Sequence, residues 1–457
     1  MSVFSSLGLS AELLSVVAEL GFETMTPIQA QSIPVLLQGQ DLIGQAKTGS
    51  GKTAAFTLPI LEKVDLERRE IQALILCPTR ELSAQVAREI RRLGRRHNGV
   101  QVVVLAGGEP ARPQREAMAR GVHIAVGTPG RILDHMSRGN LNTAYLKTLV
   151  LDEADRMLDM GFEEDVQLII QNTPGTRQTV FFSATYPASI QQLSRKYQSQ
   201  PAQVKIDDGG DDETELLEHL YFTADTDGEK PLLLSRLLRK VKGPALVFCN
   251  LKNSVNDIVE RLEHEGISTA GLHGDLEQRD RDRVLAMFRN GSRRVLVATD
   301  VAARGLDIDG LELVVHFEVP FEAAVYVHRS GRTGRAGKSG LVVSLADVEE
   351  RSRLRTFGCK LEKGDFAKLK TSGEEDELTL MQTLYISGGR KDKLRPGDIL
   401  GALTGQSGGF AATSIGKIEI HEKFAYVAIA KNLSDSAVQR LRTGGIKGRK
   451  FLVRTVD

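Results

Sequence analysis

Short, unbroken apolar runs recur along most of this chain, each followed by a longer stretch compatible with a helix. ALILCPT, VQVVVLAGG, VHIAVGT, TLVLDEA and TVFFSAT form a first set; PALVFCN, ISTAGLHG, RRVLVATD, LELVVHFEV and GLVVSLAD form a second. A strand with one wet face alternates apolar and polar residues. A strand that is apolar throughout is covered on both faces, as in a parallel sheet wrapped by helices. The pattern predicts an α/β protein with two doubly wound parallel-sheet domains, and 457 residues are too many for one ordinary core. We place the first domain at 1–206 and the second at 218–369, joined by the acidic, glycine-containing linker DDGGDDETELL at 207–217. A second polar stretch, 370–378, leads into a smaller α+β domain at 379–457.

A net charge of +1 advertises no polyanionic partner, but it hides an uneven distribution. Residues 377–457 carry 13 Lys and Arg against 7 Asp and Glu, so any basic surface is local. No run approaches the roughly 18 apolar residues of a spanning helix, and the opening MSVFSSLGLSAELL lacks the features of a secretory signal. Cys77, Cys249 and Cys359 are far apart, which argues against a disulfide framework or a thiolate metal site. The expectation is a cytoplasmic protein with no membrane contact.

The run LVLDEAD (149–155) ends a buried strand in carboxylates that repel one another. A cation would offset that repulsion, and AKTGSGKT (46–53) suggests why one would be there. It fits a phosphate-binding loop with Ala46 at the first glycine position. Gly49 and Gly51 let backbone N–H groups approach phosphate oxygens, with Thr48 and Ser50 beside them. Lys52 reaches the β/γ-phosphates, and Thr53 offers a hydroxyl to Mg²⁺. Asp152 is the natural second holder of the metal, and Glu153 is placed to orient or deprotonate the attacking water. Developing charge on the γ-phosphate also needs cations. Arg329, Arg332 and Arg335 in HRSGRTGRAG (328–337) supply them from the second domain. ATP bound in a cleft between the two domains, with hydrolysis requiring closure, is the arrangement this predicts.

Taken in order, these motifs resemble the DEAD-box RNA helicases over roughly residues 4–350, with two RecA-like domains implied. GFETMTPIQ (21–29) is similar to the family's Q motif, implying that Phe22 stacks on adenine, with Phe4 upstream, and that Gln29 bonds the adenine edge. PTREL (78–82), Gly107-Gly108 and TPGR (128–131) resemble segments that grip the RNA backbone. That implies RNA contacts for Pro78, Thr79, Arg80, Gly108, Thr128, Gly130 and Arg131. SAT (183–185) resembles the segment linking hydrolysis to strand separation. In the second domain, LVFCN (246–250), HGDLEQRDR (273–281) and ATDVAARGLDI (298–308) match further signatures. The resemblance implies a ribose contact for Asp307, an RNA contact for Thr299, arginine fingers at Arg332 and Arg335, and a coupling role for His328. Ser330 departs from the family's usual isoleucine, read here as a packing variation.

The last segment reads β, α, β, β, α, β, the order of an RNA recognition motif. LYISG places Tyr385 as a base stacker, whereas KFAYVAI lacks the longer signature's glycine and final aromatic. Tyr385, Phe424 and Tyr426 are equally compatible with a core or a surface position. Arg390, Lys391, Lys393 and Arg395, then Lys447, Arg449 and Lys450, supply basic stretches for phosphate contacts. RPGDILGALTG and IGKI resemble the DbpA subfamily of bacterial DEAD-box proteins. There the tail docks the enzyme on a hairpin of 23S ribosomal RNA, implying a role in assembling the large (50S) ribosomal subunit. The expected partner is therefore RNA, within pre-50S particles, for a monomeric enzyme using ATP and Mg²⁺. Alternatives from other classes are a DNA helicase or translocase and an ATP-gated RNA clamp that does not unwind.

Overall fold

The computed structural model describes residues 3–46, 49–97, 99–108, 110–206, 217–226, 228–303, 311–334, 339–358, 361–367, 381–405 and 409–456. Thr48, Asp307 and Arg335, the whole of the 370–378 stretch and nearly all of 207–217 lie outside them. The strands of the first compact unit are β1 (Leu42–Gln45), β2 (Ala73–Leu76), β3 (Val102–Leu105), β4 (Ile124–Gly127), β5 (Thr148–Asp152), β6 (Gln178–Ser183) and β7 (Ala202–Lys205). All pair in parallel, in the order β3-β4-β2-β5-β6-β1-β7. Apolar clusters lie on both faces. Ile75, Val150 and Val180 face one, with Leu58, Val86 and Ile90 from helices; Leu74, Leu149 and Phe181 face the other, with Ile132, Ile169 and Ile190.

The second unit begins with β8 (Leu217–Thr223), β9 (Ala245–Cys249), β10 (Thr269–Leu272), β11 (Val295–Thr299), β12 (Leu313–His316), β13 (Gly340–Ala346) and β14 (Glu362–Lys363). They form another all-parallel sheet, in the order β10-β11-β9-β12-β13-β8-β14. The same unit continues with β15 (Met381–Ile386), β16 (Ile415–Ile420), β17 (Ala425–Ala430) and β18 (Val453–Val456). These four pair antiparallel as β16-β17-β15-β18. The helices Pro396–Thr404 and Ser434–Gly444 cover one face of this sheet, meeting Leu384, Ile386, Val427 and Ile429 through Ile399, Leu403 and Leu441.

The fold class expected from the sequence is the one observed: two parallel-sheet α/β units and a small α+β domain. β1, β7, β8 and β14 were not among the apolar runs. β1 is only LIGQ, and Gly44 within it is required because a Cβ there would lie 2.3 Å from the Phe182 ring. β14 is the edge strand of its sheet and β8 (LEHLYFT) lies next to it, and their half-exposed and exposed polar residues break up the apolar signal. Among the described residues no helix is long and apolar enough to cross a membrane.

Candidate functional site

Parallel strands deliver the chain to one edge of a sheet, and ligands of open α/β sheets bind outside those carboxyl ends. In the first sheet that edge divides in two. β5, β6 and β1 are consecutive neighbours, followed by DEAD, SAT and the phosphate loop; β3, β4 and β2 are neighbours, followed by Gly107-Gly108, TPGR and PTREL. Topology alone thus gathers six dispersed segments into two adjacent groups.

The phosphate loop turns through left-handed conformations at Gly49 and Gly51, with φ of 87° and 93°. A Cβ on Gly51 would also lie 2.4 Å from Gln29 Nε2, so both backbone and space demand glycine. Gln29 locks this corner: Thr26 N donates to its Oε1 (3.0 Å), and its Nε2 donates to Gly51 O (3.2 Å). The amide assigned to adenine recognition therefore also ties the Q-motif helix, Pro27–Leu37, to the phosphate loop. Phe22 stacks on Phe4 with ring centroids 6.4 Å apart. Helix Lys52–Lys63 starts where the loop ends, aiming its first N–H groups at the loop mouth.

Lys52 is buried, and its Nζ donates to Ala46 O at 2.6 Å. Burial pushes its pKa down, opposed by the negative charges of Asp152, Glu153 and Asp155. Burial likewise pushes Asp152 up to about 7, opposed by Lys52 and reinforced by Glu153. The pocket is short of positive charge, and a divalent cation would supply it. Asp152 and Thr53 offer hard oxygen donors, the set that suits Mg²⁺ completed by phosphate and water. Among the described residues no group of three or more His, Cys, Asp or Glu could hold a metal ion by itself.

Glu153 has φ 54° and ψ 51°, a conformation rare for a side chain bearing a Cβ. It aligns Glu153 against Arg156, whose Nη1 lies 3.1 Å from Glu153 Oε2 with both side chains buried. Such backbone strain is held only where the surroundings over-determine it, and it clusters at functional sites. Asp155 turns the other way. Its Oδ2 accepts from Thr185 N (2.9 Å) and Thr185 Oγ1 (2.6 Å), while Asp155 N donates to Ser183 Oγ (3.2 Å). DEAD and SAT are therefore one hydrogen-bonded unit, and Ala46 N joins them by donating to Ser183 O at 3.0 Å. Sequence reasoning missed Arg156 and the Asp155–Thr185 link; the i,i+3 spacing of Glu153 and Arg156 was the available signal for the first.

In the other half of the edge, Thr79 Oγ1 accepts from Leu82 N (3.2 Å), capping helix Arg80–Leu93. Arg80 extends over the glycine pair, and a Cβ on Gly108, whose φ is 73°, would lie 1.6 Å from Arg80 Nη1. The glycines make room for the guanidinium. Pro78 is buried, and Thr128 precedes helix Pro129–Ser137, which starts with Gly130 and Arg131 in its first turn. Arg131 Nη1 donates to Gln114 Oε1 at 3.2 Å.

In the second unit Thr299 ends β11, and helix Ala323–Ser330 carries His328 and Arg329. Arg329 is not available to a ligand. Its guanidinium holds both oxygens of Asp300 (2.7 and 2.6 Å), Asn250 Oδ1 (2.7 Å) and Glu318 O (2.7 Å) while 2% exposed. Of the three arginines in HRSGRTGRAG, this one is a structural pin. Arg332 is buried just beyond the helix, beside Thr333, whose Oγ1 donates to Leu311 O. Ser330 is more than a packing variation: its Oγ donates to Tyr326 O (2.8 Å) and lies 3.4 Å from His316 Nε2. In the small domain, Lys447 Nζ reaches Lys393 O (3.4 Å) and pairs with Asp398 (3.7 Å). The basic stretches around 390–395 and 447–450 are thus brought together. Cys77 and Cys249 are buried, and burial pushes both thiols up.

Family models match in the same order: DEAD/DEAH box helicase over residues 26–193, helicase conserved C-terminal domain over 229–337, and DbpA RNA binding domain over 383–455. The chain is 46% identical to the ATP-dependent RNA helicase DbpA of Escherichia coli K12, covering 99% of each. The chain belongs to the DEAD-box ATP-dependent RNA helicases, in the DbpA subfamily. This DEAD-box helicase is also 42% identical to the DEAD-box helicase CshA of Bacillus cereus, over 84% of this chain and 74% of that one. Among solved structures it resembles S. cerevisiae Dbp5 bound to RNA and ADP BeF3, with TM-score 0.72 and 30% identity over 80% of this chain and 96% of the other.

Proposed function

We propose that this ATP-dependent RNA helicase has RNA-stimulated ATPase activity, separates short RNA duplexes locally and is directed by its C-terminal domain to 23S ribosomal RNA during large-subunit assembly. One observation carries the catalytic part. The nucleotide-type and RNA-type segments share one edge of one sheet, and they adjoin where β2 neighbours β5.

In this reading the phosphate loop and Lys52 hold the β/γ-phosphates, while Gln29 and Phe22 select the base. Mg²⁺, held by Thr53 and Asp152 together with phosphate oxygens, would neutralise charge on the γ-phosphate. Glu153, fixed by Arg156, orients the attacking water. Arg332 and Arg335 meet the γ-phosphate when ATP and RNA draw the two helicase lobes together, and Asp307 contacts the ribose. Pro78, Thr79, Arg80, Gly108, Thr128, Gly130, Arg131 and Thr299 grip one RNA strand in a bent path that a duplex cannot follow, so a few base pairs open. The Asp155–Thr185 bonds support a direct link between hydrolysis and that grip. Phosphate loss then releases the strand.

The DbpA-type domain and its paired basic loops support targeting, by raising the local concentration of the core near its RNA. ATPase stimulation across a panel of RNAs, with and without a 23S rRNA hairpin, tests the proposal. Selective stimulation by the hairpin is expected. Equal stimulation by unrelated RNAs of the same length would remove the targeting, and stimulation by DNA would remove the RNA assignment.

A further inference from the structure

Helix Ala111–Ala119 lies against β3, the edge strand of the first sheet. A surface helix ordinarily fastens itself with an apolar stripe. Here Ala117 and Met118 are only partly covered, and the one buried side chain of the helix is an amide, Gln114, which is 4% exposed. A buried amide costs free energy unless it is hydrogen-bonded, so an apolar anchor would serve the helix at least as well. The polar choice needs another reason.

Gln114 is bonded at both ends. Its Nε2 donates to Ala106 O at 3.0 Å, and its Oε1 accepts from Arg131 Nη1 at 3.2 Å and lies 2.9 Å from His135 Nε2. Only one orientation of the amide is open to it. A carbonyl oxygen only accepts and a guanidinium only donates, so a flipped amide would set like against like at both ends. With Oε1 facing it, His135 carries its proton on Nε2. Burial first, and the Arg131 charge next, hold this histidine below its usual range, so it stays neutral.

The partners belong to two of the segments assigned above to RNA. Ala106 leads directly into Gly107-Gly108, the pair over which Arg80 extends, while Arg131 and His135 lie one turn apart on helix Pro129–Ser137. Pairing of β3 with β4 fixes where each segment starts. It does not fix where a long side chain points; Gln114 does that for Arg131. Gln114 itself lies in none of the motifs read from the sequence.

We propose that Gln114 is a positioning residue for RNA: it holds the Arg131 guanidinium in the direction needed to meet a backbone phosphate and ties that arginine to the Gly107-Gly108 turn, so that the two grips act as one clamp. An arginine on a free stem must give up rotamer freedom when it binds; one that is already held gives up less. The role acts through Arg131 and rests on the reading of Arg131 as an RNA contact given above. It has no part in ATP binding, since the partners of Gln114 lie outside the phosphate loop, DEAD and SAT.

The test uses the full-length chain and a labelled single-stranded RNA that lacks the 23S hairpin, so that the helicase core is what is read. Gln114→Met keeps the length of the side chain and removes both hydrogen-bonding ends. It is expected to weaken RNA binding, and to raise the RNA concentration giving half-maximal ATPase, by about tenfold. Half-saturating ATP and turnover at saturating RNA should stay within about twofold of wild type. A double-mutant cycle separates positioning from general support. Arg131→Ala combined with Gln114→Met should bind RNA no more weakly than Arg131→Ala alone, because nothing is left to position. Losses that multiply, a parallel rise in half-saturating ATP, or wild-type RNA affinity in a folded Gln114→Met would each overturn the proposal. Gln114→Asn keeps the amide on a stem too short to bridge Ala106 and Arg131, and it should repeat the pattern even if the methionine variant melts early; wild-type RNA affinity there would overturn the bridge. Wild-type affinity in Arg131→Ala, with Gln114 intact, would remove the RNA contact itself and the proposal with it, a failure visible before Gln114 is touched.

Discussion

At the residue scale the site depends on carboxylates that have been given separate tasks. Asp152 is buried near Lys52, and burial pushes it up to about 7 against the pull of that lysine. Asp155 is occupied by Thr185, and Glu153 is held by Arg156 in a left-handed backbone conformation. Glu153→Gln is expected to bind ATP within a few fold of wild type while steady-state turnover falls about a hundredfold or more, the scale of lost general-base assistance. Unimpaired phosphate release would remove Glu153 from its role. Gly51→Ala confronts both a left-handed φ and the Gln29 amide. The backbone strain alone is about 1–2 kcal/mol, enough to weaken ATP affinity on the order of tenfold by equilibrium titration. An unchanged dissociation constant would show that the loop relaxes freely.

At the scale of elements, the β5-β6-β1 and β3-β4-β2 groupings turn sequence order into two functional halves. The strands were legible because a doubly covered strand must be apolar throughout, so ALILC or LVVHF has few other places to go. β1 was not, since four residues including Gly44 and Gln45 carry little signal; it is recognisable only through the phosphate loop that follows it. The candidate residues were legible as motifs, but their partners were not. Nothing local in Asp155 announces Thr185, and nothing in Arg329 announces Asn250 and Asp300, because those pairs form only when strands far apart in the chain become neighbours. The same is true of Ser330 and His316. His316 is fully buried between Tyr326 and Phe248, and burial together with Arg329 holds it well below the usual histidine range. Folded, it stays neutral; unfolded, it takes up a proton below about pH 6.5. The unfolded state then binds more protons, so stability falls as pH drops, by up to about 1.4 kcal/mol per pH unit for this group. Urea midpoints for the second unit are expected to decline from pH 7 to pH 5, and His316→Phe should flatten that slope. Parallel slopes for the two proteins would refute the assignment.

At the scale of the whole molecule, a net charge near zero coexists with a basic tail whose two loops meet only in the fold. Replacing Lys447 and Arg449 by Glu should weaken RNA binding and lessen its salt dependence, by roughly 0.7 in slope for each phosphate no longer neutralised. The small domain also shields helix Gln278–Arg289, with Asn290 in the turn that follows it donating to Thr383 Oγ1 at 2.9 Å, so removing residues 370–457 should lower the melting temperature of the remaining second lobe by at least about 3 °C. Identical melting of the full and truncated chains would speak against that shielding. Above all, catalysis in the proposed mechanism is a joint product of both lobes, with the acids and phosphate loop from the first and arginines from the second. The most direct measurement is RNA-stimulated phosphate release by Arg332→Ala at saturating ATP and RNA, with folding checked by its melting curve. The prediction is intact ATP binding with turnover reduced about a thousandfold or more. Turnover within a few fold of wild type in a folded variant would contradict it.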